Sequence, residues 1–256
     1  MAPKKSKAGS KIIKRFAKQF GKGCGDFDIV NNNGTDHFLV PIDCDYIRLT
    51  LLHWLHYKTT KVPKHFKLTP IFLYSTDEPD PETVKYLNDF VQKYGLDIKY
   101  KKVDETCKDQ ISYNKLLVDL ALEYDCNKVA LPDNLDYLNA VILTNMARNA
   151  KFDCYDVCQR IKLYDDKNEV ILVRPFCYVD DEEIKAFAEL KEFINKPTGF
   201  KLEEDQMIDI SRQAINMLID EYSNVRMNFF HSQFCVQKKY IGVGNGEVMS
   251  EEAAMD

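Results

Sequence analysis

Apolar residues gather in five short runs along this chain, separated by longer stretches in which they recur every three or four positions. The runs are Phe38 to Ile42, Thr69 to Leu73, Ile98 to Val103, Lys128 to Leu131 and Val170 to Val173. Strands that are almost continuously apolar belong to a parallel sheet with both faces covered, and the covering elements are the helices between them. Those stretches keep the 3.6-residue period: Val84, Leu87, Val91 and Tyr94; Leu116, Leu117, Leu120, Ala121 and Tyr124; Leu138, Ile142 and Met146. Pro81 near the start of the first and Gly95 just past its end follow the usual asymmetry of helix termini. The pattern predicts an α/β protein, a Rossmann-like doubly wound sheet of five parallel strands, with any ligand at the strands' C-terminal ends.

Outside this alternation the pattern changes. Ile12, Ile13, Phe16 and Phe20 predict a helix within a basic N-terminal arm, residues 1–35. The α/β domain is expected over 36–200 and a helical extension over 201–240, with Ile208, Ile215, Leu218, Ile219 and Tyr222 on one stripe of a helix from about Leu202 to Tyr222. An earlier helix from about Asp180 to Phe193 opens with four acids, favourable at the positive end of its dipole. Residues 241–256 are acidic and expected to be disordered.

Composition narrows the class. The chain has 256 residues, enough for one such domain with a small appendage. It contains no run of eighteen apolar residues and no apolar segment after the Lys-rich start, so an intracellular, cytoplasmic protein without a membrane span is expected. Eight scattered cysteines with no CxxC predict free thiols. The formal charge of −5 hides a basic arm in which Lys4, Lys5, Lys7, Lys11, Lys14, Arg15, Lys18 and Lys22 precede the first acid, Asp26. Such an arm is either an RNA-phosphate contact, a nuclear import signal or a solvated tail.

The candidate chemistry lies in DHFLVPIDCDYIRLTLLHWL, Asp36 to Leu55, a strand running into an amphipathic helix with Asp43 and Asp45 at the turn. Phosphates sit at such turns, where glycines let the backbone approach the anion. Two unit negative charges about 4 Å apart repel by roughly 4 kcal/mol at an effective dielectric of about 20, so the acids count against phosphate. A carboxylate pair can instead ligate Mg²⁺ that holds phosphates, which leaves ATP with Mg²⁺ as an open alternative.

In order, the segments FKLTPIFLYSTDEPDPETVKYLNDFVQKYGLDIKYKKVDET, KVALPDNLDYLNAVILTNM, VILVRPFCYVDDEEIKAFAE and LIDEYSNVRMNFFHSQ resemble the PP-loop, adenine nucleotide α-hydrolase-like enzymes that thiolate tRNA. These are the 2-thiocytidine synthetases and the cytoplasmic wobble-uridine thiolases. The resemblance covers about Asp36 to Ser232 and implies a nucleotide site at Pro41, Asp43, Cys44, Asp45, Arg48, Ser75, Asp133 and Asp136. In place of the family's SGGxDS stand Asp43, Cys44, Asp45, Tyr46, Ile47 and Arg48, and Pro132 and Asp133 replace Gly-His in its GHxxDD motif. The resemblance therefore implies a degenerate ATP site, in which Arg48 neutralises Asp43 or Asp45. Of the family's cluster cysteines only Cys107 is present, with Gln110 and Thr198 or a neighbour at the other places, so neither an iron–sulfur cluster nor zinc is expected.

The implied role is an accessory, non-catalytic subunit in tRNA modification, with an active thiolase subunit as protein partner, tRNA contacted by Lys11, Lys14, Arg15, Lys18 and Arg174, and no membrane. Arg174 is equally suited to pairing with an acid. The Trp54 region or the sheet's flank would be the protein interface, although Trp54 also suits a core. Two alternatives stay open. One is a pure interaction module that has kept only the fold. The other is a metal-dependent phosphohydrolase, because Asp43-x-Asp45 also resembles the nucleophile and general acid of haloacid-dehalogenase-like enzymes, with Ser75 or Thr76 on the phosphoryl group and Asp133 with Asp136 as a metal motif. Cys154 and Cys158, four apart, could share a helix face and bind a metal, but no second ligand pair accompanies them and ordinary buried thiols are expected; His53 and His56 are expected at the surface or core edge.

Overall fold

A computed structural model describes residues 7–31, 33–62, 65–104, 107, 109–148, 156–162, 169–203, 205–222 and 224–240. The elements in chain order are α1 (Lys7–Asp26), β1 (His37–Ile42), α2 (Tyr46–Thr59), β2 (Lys67–Tyr74), α3 (Pro81–Gln92), β3 (Lys99–Lys102), α4 (Gln110–Glu123), β4 (Lys128–Ala130), α5 (Leu135–Ala147), β5 (Cys158–Lys162), β6 (Glu169–Val173), α6 (Asp181–Leu190), α7 (Gln206–Glu221) and α8 (Val225–Tyr240). The chain divides into two compact units, residues 1–134 with 157–204, and residues 135–156 with 205–256.

The first unit carries the sheet, in the order β3-β2-β1-β4-β6-β5. All neighbours pair in parallel except β5, which runs antiparallel to β6 at the edge. The five expected strands form, and the sheet has a sixth. That strand, CQRIK, has only Cys158 and Ile161 as apolar residues and neither alternates nor forms a continuous apolar run, so the pattern does not mark it as a strand. Between the strands and α4 lies a core of Leu39, Ile71, Leu73, Leu117, Leu120, Val129 and Leu172, all buried.

The helix boundaries have local causes. Asp80 caps α3, Pro81 opens it, and Gly95 at φ +68 lets the Leu96 N–H return to the Val91 carbonyl oxygen. Asp109 and Ser112 form a capping box on α4, and Asp180 caps α6. The helix α1 buries Phe16 and Phe20 against α2 and the turn after β6, where Phe16 stacks on Trp54 at 4.9 Å between ring centroids. Trp54 is therefore a core residue, covered by α1 and by Phe187, and is not an exposed interface anchor. The link from α1 to β1 is fixed by a buried ion pair: Lys128 Nζ lies 3.0 Å from Asp36 Oδ1 and donates to the Ile29 carbonyl oxygen.

The second unit is helical. Thr144 on α5 and Ser211 on α7 share a hydroxyl hydrogen bond of 2.8 Å, and Arg148 grips Asp205 with two bonds of 2.6 and 2.8 Å. Asn139 donates to the Arg226 carbonyl oxygen, which ties α5 to α8. None of the described helices is long and apolar enough to cross a membrane.

Candidate functional site

The order of the sheet reverses between β1 and β4, and a doubly wound sheet opens its ligand crevice outside the strands' C-terminal ends at such a point. From β1 the chain enters Asp43, Cys44 and Asp45. Asp45 is the N-cap of α2, with Oδ1 accepting the Arg48 N–H at 2.8 Å and Oδ2 taking Arg48 Nη1 at 2.5 Å. A carboxylate of the chain thus occupies the positive helix end that would otherwise suit a phosphate. Asp43 is also buried. Its Oδ1 accepts the N–H groups of Cys44 at 2.7 Å and Thr198 at 3.2 Å, and its Oδ2 accepts that of Gly199 at 3.1 Å. Hydrogen bonds to an ionised acceptor are the stronger kind, so the three donors fix this carboxylate firmly.

The donors at 198 and 199 belong to a segment that follows α6 and crosses the ends of β1 and β2. The Lys196 N–H reaches the Cys44 carbonyl oxygen at 2.7 Å, and the Phe200 N–H reaches that of Leu73 at 2.8 Å. The Thr198 and Thr83 hydroxyls lie 2.8 Å apart. Gly199 is seated so closely that a Cβ there would lie 2.8 Å from the Leu73 carbonyl oxygen. The Phe200 ring stacks on Tyr113 of α4, with centroids 5.9 Å apart.

Across the reversal point, Asp133 after β4 meets Arg174 after β6, with Nε to Oδ2 at 2.9 Å. Burial pushes the Asp133 carboxyl up, while Arg174 and, further off, Arg48 pull it down. Burial also opposes the Arg48 charge, but Asp45 and Asp43 more than offset it and raise its pKa above the ordinary guanidinium value. Burial, reinforced by Asp43, pushes the Cys44 thiol up to about 12, so it holds no thiolate at neutral pH. Two acid–base pairs, Asp45 with Arg48 and Asp133 with Arg174, thus stand near the ends of β1, β4 and β6.

The structure brings together Asp43, Cys44, Asp45, Arg48, Asp133 and Arg174. Pro41 is buried within β1, opposite Ile71 of β2. Ser75 is exposed beyond β2, and the neighbouring Thr76 hydroxyl donates to the Glu78 carbonyl oxygen. Asp136 belongs to the second unit, where it accepts Arg226 Nε at 2.8 Å, so Asp133 and Asp136 each have their own arginine. Arg174 has no exposed surface, which takes it away from RNA. Arg15 is exposed but pairs with Glu183 and lies 4.0 Å from Asp180, whereas Lys11, Lys14 and Lys18 are exposed on α1.

Gln110 bonds to Asn114, and Cys107 is a free, half-buried thiol. Among the described residues no group of three His, Cys, Asp or Glu side chains is placed to hold a metal. Cys158 lies on a strand, so the helix face expected for it does not form, and Cys154 lies outside the described residues. His53 is half-buried, bonded to the Tyr94 hydroxyl at 2.8 Å. Sequence reasoning missed Tyr113, Gly199 and Phe200. The one available signal was the Pro197-Thr198-Gly199 turn chemistry, which marks a tight bend without saying what it touches.

No family model matches the chain. A tRNA-cytidine(32) 2-sulfurtransferase of Psychromonas ingrahamii is 26% identical over 197 residues, which cover 72% of this chain and 61% of that protein. This chain thus spans less than two thirds of that relative's length. Another, of Syntrophotalea carbinolica, is 22% identical over 251 residues, covering 90% of this chain and 92% of the relative. Among solved structures, the U34-tRNA thiolase NcsA from Methanococcus maripaludis, with its 4Fe-4S cluster, matches with a TM-score of 0.73 at 14% identity. That match covers 94% of this chain and 82% of that one, and it establishes the likeness of fold.

Proposed function

We infer that this chain, a relative of the PP-loop tRNA thiolation enzymes, serves tRNA thiolation as a non-catalytic subunit whose own nucleotide crevice is closed. The observation that carries this reading is the Asp43 carboxylate, held by the N–H groups of Cys44, Thr198 and Gly199 at the end of β1. An ATP phosphate entering there meets a fixed negative charge and finds those donors already used. Asp45 with Arg48, and Asp133 with Arg174, close the remaining charges in pairs. The metal-dependent phosphohydrolase reading needs both acids of the turn open to substrate, and their bonding speaks against it.

The chain holds no iron–sulfur cluster on this reading. Cys107 is one thiolate donor where a cluster needs about four ligands, and Gln110 and Thr198, at the other places, are engaged with Asn114 and Thr83. Sulfur chemistry then belongs to an active thiolase subunit, which is the expected protein partner in the cytoplasm.

The test is calorimetric titration with ATP and with AMP, each with and without Mg²⁺, on the wild type and on Asp43→Asn with Asp45→Asn. No heat from the wild type in any condition is expected. Micromolar, Mg²⁺-dependent binding that the double variant loses would overturn the closed crevice and make the acidic turn an active site. Affinity capture from the native cell, which should recover a thiolase, tests the subunit role separately.

A further inference from the structure

The helix α1 divides its residues sharply. Phe16, Phe20 and Cys24 are buried against the rest of the first unit, while Lys11, Lys14, Lys18 and Lys22 are exposed. At 100° per residue these four lysines fall within an arc of about 80° opposite the buried face, and they extend over about 16 Å of helix. Successive lysines are three or four positions apart, about 5–6 Å along one ridge, close to the spacing of phosphates on a nucleic-acid strand.

Arg15 lies beside this ridge and has a different task. It pairs with Glu183 and approaches Asp180, both at the start of α6. That contact ties the exposed edge of α1 to the start of α6. Lys22 lies 4.0 Å from Asp26 and over the Tyr178 ring. Lys11, Lys14 and Lys18 make no ion pair among the described residues.

We propose that the lysine ridge of α1 binds the phosphodiester backbone of a structured RNA. An anionic membrane is the weaker candidate for this face, because a surface-lying helix needs an apolar side to insert, and that side of α1 is turned into the fold. The choice of RNA over DNA rests on the thiolation reading; the phosphate chemistry does not.

The experiment is fluorescence anisotropy of the full chain with a labelled, unmodified tRNA transcript over a series of salt concentrations. It compares the wild type with Lys11→Ala, Lys14→Ala, Lys18→Ala combined. A control removes the same charge elsewhere through Lys85→Ala on α3, Lys93→Ala at its C-terminal cap and Lys115→Ala on α4, all exposed. The ridge variant should bind about tenfold or more weakly at low salt, and its slope of log affinity against log salt should fall by about two to three. Its thermal melt should match that of the wild type, since no buried atom is removed. Arg15→Gln should leave the slope unchanged, because that charge is already engaged.

Equal losses in the ridge and control variants would overturn the proposal, as would tighter binding to duplex DNA of equal length or to phosphatidylserine vesicles. No ATP or thiolase is present in the assay. A ridge effect in a chain that captures no thiolase therefore sinks the subunit role alone, and a captured thiolase without a ridge effect sinks this inference alone.

Discussion

At Gly199 an added Cβ would lie 2.8 Å from the Leu73 carbonyl oxygen, 2.9 Å from Phe72 Cε2 and 3.0 Å from Asp43 Oδ2. The first is backbone in a central strand and the last belongs to a carboxylate whose two oxygens together accept three hydrogen bonds, so neither gives way cheaply. Gly199→Ala should therefore cost about 1–3 kcal/mol, in the range of overpacked interiors, read as a lower urea midpoint at unchanged slope. Combined with Asp43→Asn the loss should be less than additive, since both act on one contact. The turn's acids and Arg48 are legible in the sequence because capping and i,i+3 pairing are local. Their other partners are not, since Thr198 and Gly199 lie 155 and 156 positions from Asp43 and no local pattern encodes that meeting.

Among the elements, α1 has the most to say about packing. Phe16 stacks on Trp54 within 6° of parallel and meets Phe176 edge-on at 5.6 Å and Phe187 at 5.1 Å. Phe16→Ala opens a cavity among three rings and should cost about 3–5 kcal/mol. Hydrogen exchange should then quicken along residues 12–24 before it does so in β1. The helical period and basic face of α1 are visible in the sequence. Its seat on Trp54 is not, because an amphipathic helix states that a face is buried and leaves open against what. Strand β5 was hidden for a related reason: an edge strand needs only one apolar side, and CQRIK carries too few apolar positions to announce it.

For the molecule as a whole, doubly covered strands made the sheet legible, while the division into two units was not, since α5 groups with α7 and α8 across a long stretch of sequence. Stability should also depend on acid. Burial, with Lys191 and His56 nearby, pushes the His53 imidazole down to about 4 from an ordinary 6.5. The folded state thus binds the proton less readily than the unfolded chain. The neutral ring's contribution is complete above about pH 6.5 and is lost as pH falls toward about 4. His53→Phe, which keeps a ring beside Phe187 and Phe193, should flatten that part of the urea-midpoint profile. The loop that lies over the strand ends has a consequence for substitution as well as for folding. Where a chain lays its own backbone across its strand ends, the residues beneath are tied to that backbone, so paired substitutions in loop and turn should be tolerated more readily than either alone.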